Sequence, residues 1–171
     1  EDMKAGLRAG VISGSIVPAM CGSALKHIGI GPLMDVIVRY LPSPLDRGPA
    51  VGTKPGTDEV EERLPDESAP FSAYVFKTIA DPYAGRLTLF RVYSGTLKSD
   101  TLVYNPSHKS SERFGNVFYL EGKSQKPAEL LVPGDIAAVA KLKEAVTGDT
   151  FCAEKFPIAF EKVEPPPTVM S

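Results

Sequence analysis

The chain has 171 residues, of which 43% are hydrophobic and 23% charged, the proportions of an ordinary globular chain. Nineteen basic side chains stand against 21 acidic ones, a formal net charge of -2, which disfavours a strongly basic nucleic-acid binder. No apolar run reaches the ~18 to 20 residues of a membrane-spanning helix, and two cysteines, Cys21 and Cys152, are too few for a disulfide scaffold or a zinc knuckle.

Glu1 to Lys4 carry no apolar signal region, and both ends read as cut ends, so a fragment of a longer chain is expected. Leu7 and Arg8 end a helix that Gly10 stops. Ser15 to Cys21 form a brief apolar run expected as a buried strand, with Pro18 placing it at a sheet edge or bulge. Gly22 to Lys26 make a turn. Pro32 suits a first helical position, and Leu33, Ile37, Tyr40 and Leu41 then share one face until Pro42 and Pro44 end the helix. Residues 1–42 thus form a short α/β remnant that needs upstream strands to cover it.

Residues 43–69 are rich in proline and glycine and hold six acids between Asp58 and Glu67, so they read as an exposed acidic linker. From residue 70 to 163 the pattern changes. Phe71–Ile79, Arg86–Tyr93, Thr101–Tyr104, Arg113–Leu120, Asp135–Leu142 and Thr150–Cys152 read as strands separated by turn residues. That pattern predicts a mainly β fold, a closed barrel or sandwich, since closure hides strand edges. Glu164 to Pro167 read as a stiff connector opening a further linker over 164–171. No internal repeat is visible.

Catalytic signatures are missing. Ser23 lacks nucleophile-elbow spacing, and neither His27 nor His108 belongs to a recognisable nucleophile motif. A thiol enzyme using Cys21 or Cys152 is a remote reading that alkylation would test. Neither phosphate-binding glycine motif occurs, so nothing in these residues can cradle a triphosphate or place its magnesium.

The ordered motifs Ile16–Lys26, Gly31–Asp35, Tyr40–Pro44, Ala80–Leu87, Phe90–Leu97, Pro133–Val139 and Thr147–Thr150 resemble the elongation factor G family of translational GTPases. The resemblance runs from the end of that family's GTP-binding domain through its second domain, a β-barrel. It implies that Ser23 and Ala24 present backbone N–H groups to a guanine oxygen, with Leu25 completing the motif and Lys26 flanking the base. The parent would bind GTP with Mg2+ and hydrolyse it to drive ribosomal translocation in the cytoplasm. This segment, lacking the phosphate loop, is expected to bind no cofactor and to be inactive alone. Implied partners are the ribosome, its small-subunit RNA and protein, and the remaining domains of the parent. Arg86, Lys98, Lys109 and Arg113 lie at or near predicted turns and are the candidate RNA contacts. Residues 70–163 carry twelve Lys and Arg against ten acids, a net of +2, too little for tight RNA binding by the barrel alone. The alternative is a stand-alone barrel that binds single-stranded nucleic acid, which needs a basic, aromatic groove.

The chain departs from the family pattern at His27-Ile28, where an Asn-Lys pair is usual. It departs again at Asp100 and Lys141, where glycine is common. Asp tolerates a left-handed backbone less well than glycine.

Overall fold

A computed structural model describes residues 2–81, 85–122 and 124–163 and divides the chain into two units, Glu1–Gly48 and Pro49–Ser171. Residues 82–84, part of one family motif, Lys123, and the expected connector over 164–171 lie outside the described residues.

In the first unit, helix α1 spans Asp2–Ile12 and runs through Gly10. The missing Cβ of Gly10 leaves room for the Ile16 side chain, and the Ile16 N–H donates to the Gly10 carbonyl at 3.0 Å. The residue that turns the chain out of the helix is Gly14, at φ 75°. Ser15 to Cys21, expected as a buried strand, belong to no strand, and Val17 is 86% exposed. A strand needs a ladder partner for its backbone, and none of the described residues supplies one there. Helix α2 spans Ile30–Tyr40 after Gly29, which sits at φ 77°. Pro32 lies in its first turn, two residues later than expected, where no N–H is required. The Leu41 N–H closes the last turn onto the Ile37 carbonyl at 3.2 Å. Arg8 ties the unit together, donating to the Arg39 carbonyl at 2.9 Å and to Asp46 at 2.8 Å.

Residues 43–69 are not a featureless connector. A short 3-10 helix at Leu45–Arg47 ends the first unit, and strands β1, Ala50–Thr53, and β2, Val60–Arg63, open the second. The remaining strands are β3 Ser72–Asp81, β4 Gly85–Ser94, β5 Thr101–Asn105, β6 Ser110–Phe114, β7 Val117–Glu121, β8 Ser124–Pro127, β9 Ile136–Ala140, β10 Thr150–Cys152 and β11 Ala159–Phe160. β1 is the middle strand of a small sheet ordered β11-β1-β2. Gly52 permits that pairing, because a Cβ there would stand 2.6 Å from the Ala159 carbonyl oxygen.

The main sheet has eight strands in the order β6-β5-β10-β3-β4-β9-β7-β8. It curls around Phe90, Phe114 and Phe151, whose rings pack edge-on or tilted at 4.8 to 6.2 Å between centroids. β4 serves both faces: Phe90 and Val92 enter this core, while Leu87 packs on the other face with Phe118 and Ala138.

The expected closed barrel is corrected to an open, curled half-barrel, because among the described residues the end strands β6 and β8 do not pair with each other. An isolated bridge joins Leu97 and Leu131. Two sequence features explain the opening. Gly115 and Asn116 split the expected 113–120 strand into β6 and β7, and exposed β8 ends in Pro127, which has no N–H to give a ladder.

Candidate functional site

The Ser23 turn is closed by a two-way bond. Ser23 N–H donates to the Ile28 carbonyl at 2.9 Å and Ile28 N–H to the Ser23 carbonyl at 3.0 Å. Inside it, Ser23 Oγ accepts the Lys26 N–H at 3.3 Å and the Ala24 carbonyl accepts the His27 N–H at 3.2 Å. The Ser23 N–H, expected to face a guanine oxygen, is thus consumed by the turn; the N–H groups of Ala24 and Leu25 are the two that the turn itself does not use, and both residues are exposed. An exposed pair of fixed donors, one of them on the small residue Ala24, suits an acceptor atom on a planar ligand. His27, one of the departures, holds φ 54°, a left-handed value uncommon outside glycine but one that histidine tolerates better than most residues.

The four candidate RNA contacts do not form one cluster. Lys98 and Arg113 lie toward the start of the β5–β6 hairpin. There Arg113 reaches Asp100 at 3.4 Å with both side chains 70% exposed, a pair of little energetic consequence. Lys109 sits at the hairpin's tip at φ 53°. Arg86, at the start of β4, donates to the Ala145 carbonyl and is thereby engaged in holding the loop after β9. Lys109 borders the same loop, because its neighbour Ser110 donates to Glu144 at 2.6 Å. That loop also holds Lys141 and Lys143, which the sequence reading did not select.

The loop is anchored by carboxylates. Glu112 on β6 accepts the backbone N–H of Lys143 at 2.6 Å, with those of Glu144 and Ala145 at 3.4 and 3.3 Å. At its far end lies a turn that recurs in the unit. Val132-Pro133-Gly134-Asp135 and Val146-Thr147-Gly148-Asp149 share one geometry, although no repeat is visible in the sequence at large. In each, the Asp carboxylate accepts the Val N–H at 3.0 Å. In each, the Gly N–H donates at 2.8 Å to a strand carbonyl, of Val92 in the first and Val75 in the second. The return bonds, from Val92 to Asp135 and from Val75 to Asp149, are both 2.9 Å. The paired Val-x-Gly-Asp spelling was the available signal.

Electrostatics distinguish the two turns. Burial alone would raise the Asp149 carboxyl, yet the Val146 N–H, the Asn105 amide and the Lys162 ammonium together hold it below the usual carboxylate value. In the other turn, burial and the Asp135 acceptor push the Tyr119 hydroxyl above its ordinary value. Burial likewise raises the Cys152 thiol, which gives no support to a thiol nucleophile. Among the described residues no group of three or more His, Cys, Asp or Glu is arranged to hold a metal ion, and no helix is long and apolar enough to cross a membrane.

Comparison with known proteins places this geometry. Residues 70–154 match the family model described as elongation factor G domain 2. All 171 residues are 44% identical to "Elongation factor G" of Aquifex pyrophilus and, again, 44% identical to that of Thermotoga maritima. The chain spans about a quarter of the length of these curated relatives, 24% and 25%. A crystal structure from Thermus thermophilus shares the fold with a TM-score of 0.68 over 91% of this chain and 20% of that one, at 24% identity. With its β-domain motifs and its full length both matched, the chain belongs to the elongation factor G family.

Proposed function

We propose that this chain is the stretch of an elongation factor G-like GTPase that joins the guanine side of the nucleotide pocket to the domain meeting the ribosome. The observation that carries the reading is the pair of unused N–H groups at Ala24 and Leu25, in a turn whose sequence is matched along with the rest of the chain. Ser23, Ala24, Leu25 and Lys26 would hold the base of GTP. The phosphates and Mg2+ would be held by residues outside these 171, and there the chemistry would be phosphoryl transfer by positioning and charge stabilisation. The second unit would act as a rigid anchor in the cytoplasm, contacting small-subunit RNA through the basic residues beside the Lys141–Asp149 loop. Arg86 would position that loop, and Lys109 would face the phosphates.

The test is made in the full-length parent protein. Ala24→Pro removes one donor and is expected to weaken guanine nucleotide binding about tenfold, since a ligand acceptor left unpaired costs roughly 1 to 3 kcal/mol. Unchanged affinity in calorimetry would overturn the guanine assignment. Lys109→Glu is expected to weaken small-subunit binding and flatten its salt dependence. Tight binding of short RNA by the 171-residue chain alone would instead favour the stand-alone binding module.

A further inference from the structure

Three separate segments converge on the Asp149 carboxylate, whose side chain has 0% exposure. Its own turn supplies the Val146 N–H to Oδ2 at 3.0 Å. The β5–β6 turn supplies Asn105 Nδ2 and His108 Nε2, each 3.0 Å from Oδ2. The chain leaving β11 supplies Lys162 Nζ, 2.9 Å from Oδ1. Among the described residues, the matching carboxylate Asp135 makes the same turn with only the Val132 N–H and the Tyr119 hydroxyl. The local turn therefore does not require the extra partners at Asp149.

Those partners join parts of the chain that no strand pairing among the described residues connects. The His108 turn belongs to an end of the eight-stranded sheet, whereas β11 belongs to the three-stranded one. His108 and Lys162 are partly exposed, at 35% and 50%, and both depend on one anion that water cannot reach. A buried carboxylate that loses one of its partners relies more heavily on those that remain.

We propose that Asp149 is a shared clasp that couples the basic β5–β6 turn to the chain leaving the domain after β11. Contacts that draw His108 away from the clasp strengthen the hold on Lys162, and the reverse follows by reciprocity. The stiffness of the exit segment thus responds to what meets the turn. This inference stands independently of the RNA assignment.

A double-mutant cycle in the 171-residue chain tests it, using His108→Gln, Lys162→Met and the pair, read by denaturant unfolding. The double variant is expected to lower the folding equilibrium constant about fivefold beyond the product of the single effects. The same cycle built on Asp149→Asn is expected to be additive. Additive or sub-additive losses with Asp149 intact would overturn the proposal, whether or not the Asp149→Asn chain folds. So would a surplus that persists when Asp149 is replaced.

Discussion

The two units use similar apolar side chains to different effect. In the first, no described residue is buried, and Leu33, Met34, Ile37, Val38 and Leu41 on and after α2 are all at least 43% exposed. In the second, Phe90, Phe114 and Phe151 are fully enclosed within one sheet. An apolar stripe stabilises only when something covers it; burial of a large side chain contributes about 1.5 to 3 kcal/mol. Helix α2 thus has the pattern of a packed helix without the packing, whereas the half-barrel has both.

Glycines break that comparison most sharply. A Cβ at Gly95 would lie 2.6 Å from Phe71 and Ala69 backbone atoms, at φ 66°, whereas Gly31 in α2 has nothing within 4 Å. Gly95→Ala is expected to cost more than about 4 kcal/mol and leave the second unit unfolded in thermal melts. Gly31→Ala is expected to raise α2 helicity, by about 1 kcal/mol, in amide exchange. Next in size, Phe114→Ala is expected to cost about 3 to 5 kcal/mol in urea unfolding, while Val38→Ala stays within about 0.5 kcal/mol.

Acid unfolding sharpens the contrast further. The Asp149 carboxyl is held below its usual value, so its contribution is complete above the unfolded value near 3.9 and is lost as pH falls through the lower folded value. Asp149→Asn is expected to remove that pH-dependent part of the stability below about pH 4, a loss of about 2 kcal/mol at neutral pH. A pH–stability curve parallel to the wild type would refute the assignment. Opposite in sign, Asp100→Gly and Lys141→Gly relieve left-handed backbone at φ 62° and 64° and should each stabilise by about 1 kcal/mol. Loss of stability at either position would show that its side chain matters more than its backbone.

Those last two positions show how far the residues alone could be read. Asp100 and Lys141 stood out as non-glycine residues in glycine places, and both have positive φ. β10 was legible to the residue because Thr150-Phe151-Cys152 is bracketed by turn residues. β1, β2 and β11 were not, because their proline-rich and acidic neighbourhoods hide strands of two to four residues. The Ser23 turn could be found from its motif, but its unused donors could not, since those depend on which N–H groups the turn consumes.

What the amino-acid order determined by itself was local. It set strand-forming runs, glycine turns, the positions of helix-ending prolines and the family motifs, each of which depends on a few neighbouring residues. Tertiary structure alone decided that the barrel stays open, that a carbonyl engages Arg86, and that Asp149 gathers partners from three segments. The reason is physical. Pairing across a sheet and desolvation of a charge depend on groups far apart in the chain, and no local spacing records which of them will meet.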